Sequence, residues 1–294
     1  MSKFRLRGKG KKERKVQNDQ IHIKNLLPNL VTSLAVCGGI SAIVICATNY
    51  AKYHAGETVT NSDWTLALIA LIFSCICDAM DGRIARLLNA SSKLGAELDS
   101  LADFVNFGVA PSLYLYFWVM SGPYDILPFT SKFLLACALF FSLCAAFRLA
   151  RFNIMIEQPT LPYWKPFFLG VPAPGGCLMA LTPVPLVLEL SETFPQIEIL
   201  QHPYVAALIL IIVGSLMASR IPSFSLKTLR IKKNQILPIT AVLLLAVACL
   251  VANLWLTLGC IAALYFLTVP VVVMIFVRIR EKYIREQGEG DKAK

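Results

Sequence analysis

Apolar residues fill this chain in runs of roughly 18 to 25 positions separated by short polar stretches, a pattern that predicts membrane-spanning helices. The runs fall at about 27–48, 64–88, 97–120, 129–152, 173–190, 203–219, 236–253 and 258–278, so the expected fold is an all-α polytopic bundle of about eight transmembrane helices. The second and third runs carry aspartates at one end. Pro172, Pro174, Gly175 and Gly176 open the fifth run, and Pro183 and Pro185 interrupt it, which predicts a kinked or discontinuous helix there.

Composition agrees with the pattern. Hydrophobic residues make up 56% of the 294 positions and charged residues 16%, against about a quarter charged in a soluble domain. Basic residues then orient the spans, because Lys and Arg concentrate in cytoplasmic segments. With eight spans, 26 of the 28 basic residues fall in alternate segments that include both termini. Both ends are therefore expected in the cytoplasm, in a protein of the cell membrane. Three regions follow: a basic N-terminal segment at 1–25, a membrane domain at 26–280 and a charged C-terminal tail at 281–294. The basic segment, from Lys3 to Lys15, suits anionic headgroups, and the formal charge of +10 needs no nucleic acid to explain it.

Cysteine and histidine add little. Nine cysteines are scattered through the spans and none of the three histidines lies beside one, so there is no zinc pattern. Cysteine here is expected to behave as a small buried apolar residue, without disulfides.

Candidate chemistry lies in one segment, Asp78-Ala-Met-Asp81-Gly82-Arg83-Ile-Ala85-Arg86, followed by Gly95-Ala-Glu-Leu-Asp99-Ser-Leu-Ala-Asp103. On helices, Asp78 and Asp81 are three apart and Asp99 and Asp103 four apart, so each pair projects from one face. Four carboxylates gathered in a membrane repel one another and need divalent cations or protons. Hard oxygen ligands suit Mg²⁺ or Mn²⁺, with phosphate oxygens completing the shell. Gly82 costs about 1 kcal/mol in a helix interior, which close approach of a ligand would offset, and Ala85 keeps the same surface low. Arg86 is placed to pair with phosphate. Gly95 is expected to let the two motif helices converge. Asp103, last in the series and deepest in its helix, is the candidate proton acceptor.

The segment from Asp78 to Asp103 resembles, at all eight specified positions, the D-x2-D-G-x2-A-R-x8-G-x3-D-x3-D signature of the CDP-alcohol phosphatidyltransferases. The resemblance implies a six-helix transmembrane core, usually a homodimer, with two divalent metals, Mg²⁺ or Mn²⁺, holding the CDP pyrophosphate. It implies that Asp78, Asp81, Asp99 and Asp103 ligate metal and that Asp103 is also the base. Gly82, Arg86 and Ser92 are implied to contact the CDP part of the lipid, assisted by Asn29 and Thr32.

Flanking stretches resemble the phosphatidylserine synthase branch of that family. They are Leu27-Pro28-Asn29-Leu30-Val31-Thr32, Phe107-Gly108-Val109-Ala110-Pro111, Phe147-Arg148-Leu149-Ala150-Arg151-Phe152-Asn153 and Ser219-Arg-Ile-Pro-Ser223-Phe-Ser-Leu-Lys227. The last departs from the branch's tyrosine-containing form, having Ile221-Pro222. The implied reaction joins CDP-diacylglycerol and L-serine to give phosphatidylserine and CMP. A serine carboxylate beside bound phosphates needs added positive charge. Arg148 and Arg151 are the candidates to supply it, with Asn153, Ser223 and Lys227 as further headgroup contacts.

Other readings predict other patterns. A sister transferase would use glycerol 3-phosphate, inositol, choline or phosphatidylglycerol, and a phosphorylated acceptor would call for a denser basic pocket near Asp103. A membrane ion transporter would place acidic groups near the bilayer midplane in several spans. Here the four aspartates cluster at one interface.

Overall fold

A computed structural model of the chain describes residues 23–90, 92–155, 167–219, 221–224 and 236–292. Every expected span is helical. The first two are α1, Ile23–His54, and α2, Asn61–Leu87. The third is one unbroken run made of α3, Lys93–Asp103, a π-helical segment, Phe104–Val109, and α4, Ala110–Met120. α5, Pro128–Met155, is the fourth. The fifth is α6, Ala173–Ala180, followed by α7, Pro183–Leu190. A 3₁₀ turn, Pro195–Gln201, leads into α8, Pro203–Ala218. α9, Ile236–Ala252, and α10, Leu254–Lys292, complete the chain, and α10 runs on through most of the charged segment from 281.

Five of these helical stretches are long and apolar enough to cross a bilayer, and a sixth is the bent pair of the 3₁₀ turn with α8. α9 is apolar but shorter, at 17 residues. The expectation of an all-α fold needs one small amendment. Phe167–Leu169 (β1) and Pro222–Phe224 (β2) pair antiparallel, with Phe168 opposite Ser223. This clip joins the segments that follow α5 and α8.

Small residues set how closely the first helices approach, as in membrane bundles generally. Ala35, Gly38, Gly39 and Ala42 on α1 are buried, and Ser74 of α2 donates a 2.7 Å hydrogen bond to the Ala35 carbonyl. Helix α2 begins where Thr60 N donates to Asp63 Oδ2 at 2.8 Å, satisfying one of the free donors of the first turn. The core lies among α2, α4, α5, α6 and α8, around Leu71, Tyr114, Trp118, Phe141, Met179 and Leu210, all with at most 2% of their surface exposed. Tyr114 reaches across it to the Trp64 carbonyl at 2.7 Å.

The predicted break in the fifth span is present at Leu181–Thr182. Leu181, Pro183, Val184 and Pro185 are buried there, so side chains fill the break. α9 has no fully buried residue, and its Leu243, Leu244 and Leu245 are exposed. Such faces are stable where the surrounding solvent is hydrocarbon.

Candidate active site

Helical spacing does what the sequence predicts for the first pair and extends it. Ligand oxygens of Asp78 and Asp81 on α2 and of Asp99 on α3 all lie within 4.8 Å of one another. Asp81 is 3% exposed and held on both sides. Thr32 Oγ1 of α1 lies 2.5 Å from its Oδ2, and the Gly82 backbone N–H donates to its Oδ1. Asp78 is different, because its Oδ1 is buried with no hydrogen-bond partner among the described residues. Buried carboxylate oxygens are rarely left so, and this one is free to take a ligand.

Asp103 stands just beyond this triad. Its carboxyl approaches that of Asp78, and the guanidinium of Arg148 on α5 lies within its electrostatic reach. The helix carrying it turns π-helical at the next residue, Phe104. π segments are uncommon and recur at functional sites. Within this one, Asn106 is fully buried with neither side-chain polar atom paired among the described residues, and it packs against Gly39 of α1.

The eight-residue spacer between Arg86 and Gly95 folds as a tight connection. Asn89 takes φ +48°, Asn89 N–H donates to the Arg86 carbonyl and Ala90 N–H to the Ala85 carbonyl, which closes α2 in a Schellman motif. Asn tolerates the left-handed conformation better than most residues. Ser92 then caps α3, its Oγ accepting the Gly95 N–H at 3.0 Å. Gly95 was expected to let α2 and α3 converge, but it faces α1. A Cβ there would sit 3.0 Å from Asn29 Oδ1 and 3.1 Å from Ser92 Oγ.

On one side of the carboxylates an open cavity of about 310 Å³ is lined by α1, α2 and α3. Every residue that the resemblance implied for the CDP part lines it: Asn29, Thr32, Gly82, Arg86 and Ser92, together with Asp81 and Asp99. A Cβ on Gly82 would meet nothing within 4 Å, so its missing side chain is space inside the cavity. Arg86 folds back so that its Nε donates to the Gly82 carbonyl at 3.1 Å, and its terminal nitrogens have no partner among the described residues. Pro28, Ala85, Ala90, Gly95 and Ala96 complete the wall. Of these only Ala85 and Gly95 belong to the sequence motif, because other small apolar side chains at helix ends carry no chemical signal of their own.

The other side of the carboxylates belongs to α5. Arg148 is part-buried and its Nε has no partner among the described residues. Arg151, one turn on, is already engaged: its terminal nitrogens donate to the Ser219 and Ala218 carbonyls, which end α8. The structure therefore separates two arginines that the sequence treats alike. Asn153 Nδ2 donates to Ser100 Oγ of α3 at 3.1 Å, tying the end of α5 beside Asp99. Ser223 sits in β2, paired through its backbone with Phe168, and Lys227 lies outside the described residues. Tyr265 of α10, which carries no sequence motif, also lies within electrostatic reach of Arg148.

Such an arrangement can hold a phosphate-rich ligand against hard cations on one side and a small anion on the other. The residues present fit a divalent metal: three carboxylates converge, one oxygen is orphaned and the donors are all hard oxygens.

Residues 25–216 match the family model described as CDP-alcohol phosphatidyltransferase. That match spans the first six expected spans and stops before α9. The chain is 32% identical over 251 residues to a protein of Mycobacterium bovis named CDP-diacylglycerol–serine O-phosphatidyltransferase, covering 84% of this chain and 78% of that one. A protein of the same name from Mycobacterium leprae is 30% identical over 249 residues, covering 84% and 74%. A third, from Bacillus subtilis, is 43% identical over 118 residues, which cover 40% of this chain and 59% of that protein.

Proposed function

The chain belongs to the CDP-alcohol phosphatidyltransferase family, and from that premise we propose that it transfers the phosphatidyl group of CDP-diacylglycerol to the hydroxyl of L-serine, giving phosphatidylserine and CMP. The observation that carries this reading is the position of the carboxylates. Asp81 and Asp99 line a nucleotide-sized cavity, while Asp103 lies within electrostatic reach of a guanidinium whose Nε has no partner among the described residues. The shared name of relatives that align over most of the chain supports serine as the acceptor.

In this reading the cavity takes the CDP part of the lipid. Gly82 and Ala85 leave room for it, and the terminal nitrogens of Arg86 pair with a phosphate oxygen. Asp78, Asp81, Asp99 and Asp103 would hold two divalent cations, Mg²⁺ or Mn²⁺, whose charge offsets that of the pyrophosphate and of the leaving CMP. Thr32 and the Gly82 N–H fix the Asp81 carboxylate, so that ligand is preorganised. Arg148 pairs with the serine carboxylate. The serine hydroxyl is thereby held at Asp103, which accepts its proton as the oxygen bonds to phosphorus and the bond to CMP breaks.

The cation found beside Asp103 among the described residues is Arg148. One guanidinium balances a carboxylate, whereas a phosphorylated acceptor carries more charge than it can offset, which favours serine over glycerol 3-phosphate. The reaction is placed at the cytoplasmic face of the cell membrane, with both termini in the cytoplasm and the chain working as a homodimer. There a soluble amino acid meets a lipid-anchored nucleotide. Purified protein in mixed micelles with CDP-diacylglycerol is expected to release CMP when serine and Mn²⁺ or Mg²⁺ are present and to stop when the cation is chelated. No release above the protein-free rate contradicts the proposal.

A further inference from the structure

Tyr265 lies on α10, beyond the residues 25–216 that the family model matches. It nevertheless turns inward. Its half-buried ring packs against the core, and its hydroxyl seats over Gly175 at the start of α6, so closely that a Cβ on Gly175 would lie 2.7 Å from the phenol oxygen. Glycine at that position makes room for the tyrosine. The hydroxyl has no hydrogen-bond partner among the described residues and is free to donate to a ligand. A cation within its electrostatic reach is Arg148, whose own Nε is buried without a partner among the described residues and which also acts on Asp103. These two groups, on different helices, lie within electrostatic reach of each other, and each has a donor free for a ligand among the described residues.

We infer that Tyr265 is a specificity-determining residue for the acceptor: its hydroxyl donates a hydrogen bond to the same carboxylate that Arg148 pairs with. The inference rests on the reading of the acceptor as an amino acid. It gives the last helix a chemical role, that of closing the acceptor side of a site whose other parts all come from the matched segment. An acceptor with a carboxylate satisfies both donors, whereas a simple amino alcohol leaves both unpaired, and sites built to pair a group discriminate strongly against its absence.

The test compares the full-length protein with Tyr265→Phe, which keeps the ring and removes only the hydroxyl. A hydrogen bond to a charged group predicts a KM for serine raised about tenfold or more, with the KM for CDP-diacylglycerol unchanged. The preference for serine over ethanolamine should narrow by the same factor, a readout that a purely structural tyrosine would not move. Gly175→Ala, which crowds the phenol, should shift serine KM in the same direction. If wild-type protein uses serine and Tyr265→Phe leaves serine KM and the ethanolamine ratio unchanged, the inference is wrong. If wild-type protein turns over CDP-diacylglycerol but does not use serine, the underlying reading fails instead.

Discussion

Thr32 Oγ1 on α1 lies 2.5 Å from Asp81 Oδ2 on α2, a hydrogen bond between residues 49 positions apart that locks one carboxylate of the site. The same hydroxyl lies 3.1 Å from the Pro28 carbonyl, so one proton is shared between two acceptors and the threonine is fixed as well. Removing it leaves Asp81 free to turn. Thr32→Val is expected to raise the Mn²⁺ concentration needed for half-maximal CMP release about tenfold or more, the usual consequence of losing a residue that orients a metal ligand. Thr32→Ser should restore it. An unchanged metal dependence in Thr32→Val would show that Asp81 needs no such support.

Gly82 separates stability from function. Its Cβ position is empty, so Gly82→Ala fits without displacing any atom and should stabilise α2 by up to about 1 kcal/mol. The added methyl nevertheless stands inside the cavity that the proposed reading gives to the nucleotide. A higher KM for CDP-diacylglycerol alongside unchanged or higher thermal stability is the expected pair of results. Arg86→Ala should likewise weaken CDP-diacylglycerol binding more than serine binding, and the reverse pattern would overturn its assignment.

Arg148 and Arg151 should part company. Arg148→Ala removes the guanidinium facing Asp103, and serine KM is expected to rise about ten- to a hundredfold, the worth of a charged hydrogen bond. Arg151→Ala removes the bonds to the Ala218 and Ser219 carbonyls, costing about 1–3 kcal/mol of stability and leaving serine KM near the wild-type value. Normal serine KM in Arg148→Ala would remove it from the acceptor site.

Asp103→Asn keeps size and hydrogen-bonding capacity and loses the proton acceptor. Transfer should fall by about 10²- to 10⁴-fold, the contribution of a positioned base, while CDP-diacylglycerol binding stays measurable by ligand-induced stabilisation. Near-normal turnover in this variant would exclude Asp103 from that role.

Much of this site was legible because helical spacing is local. Asp78 with Asp81, and Asp99 with Asp103, share faces by periodicity alone, and the fixed offsets of Gly82, Ala85 and Arg86 marked the cavity wall. The runs of apolar residues located every α-helix among the described residues, since a span needs a long apolar stretch. What could not be read depends on contacts between distant segments. Nothing in the neighbourhood of Thr32 announces a bond to Asp81, and Arg148 and Arg151 look equivalent until α8 ends against one of them. Gly95 was assigned to the wrong helix pair for the same reason: a missing Cβ signals close approach without naming the neighbour. The π segment after Asp103 and the inward turn of Tyr265 likewise left no periodic trace.

The central claim is most directly tested by offering purified protein CDP-diacylglycerol and Mn²⁺ with radiolabelled serine, glycerol 3-phosphate, inositol and choline in parallel. Label from serine alone should enter the lipid fraction, in step with CMP release, and Asp103→Asn should abolish that incorporation. Incorporation of another acceptor in preference to serine would contradict the account.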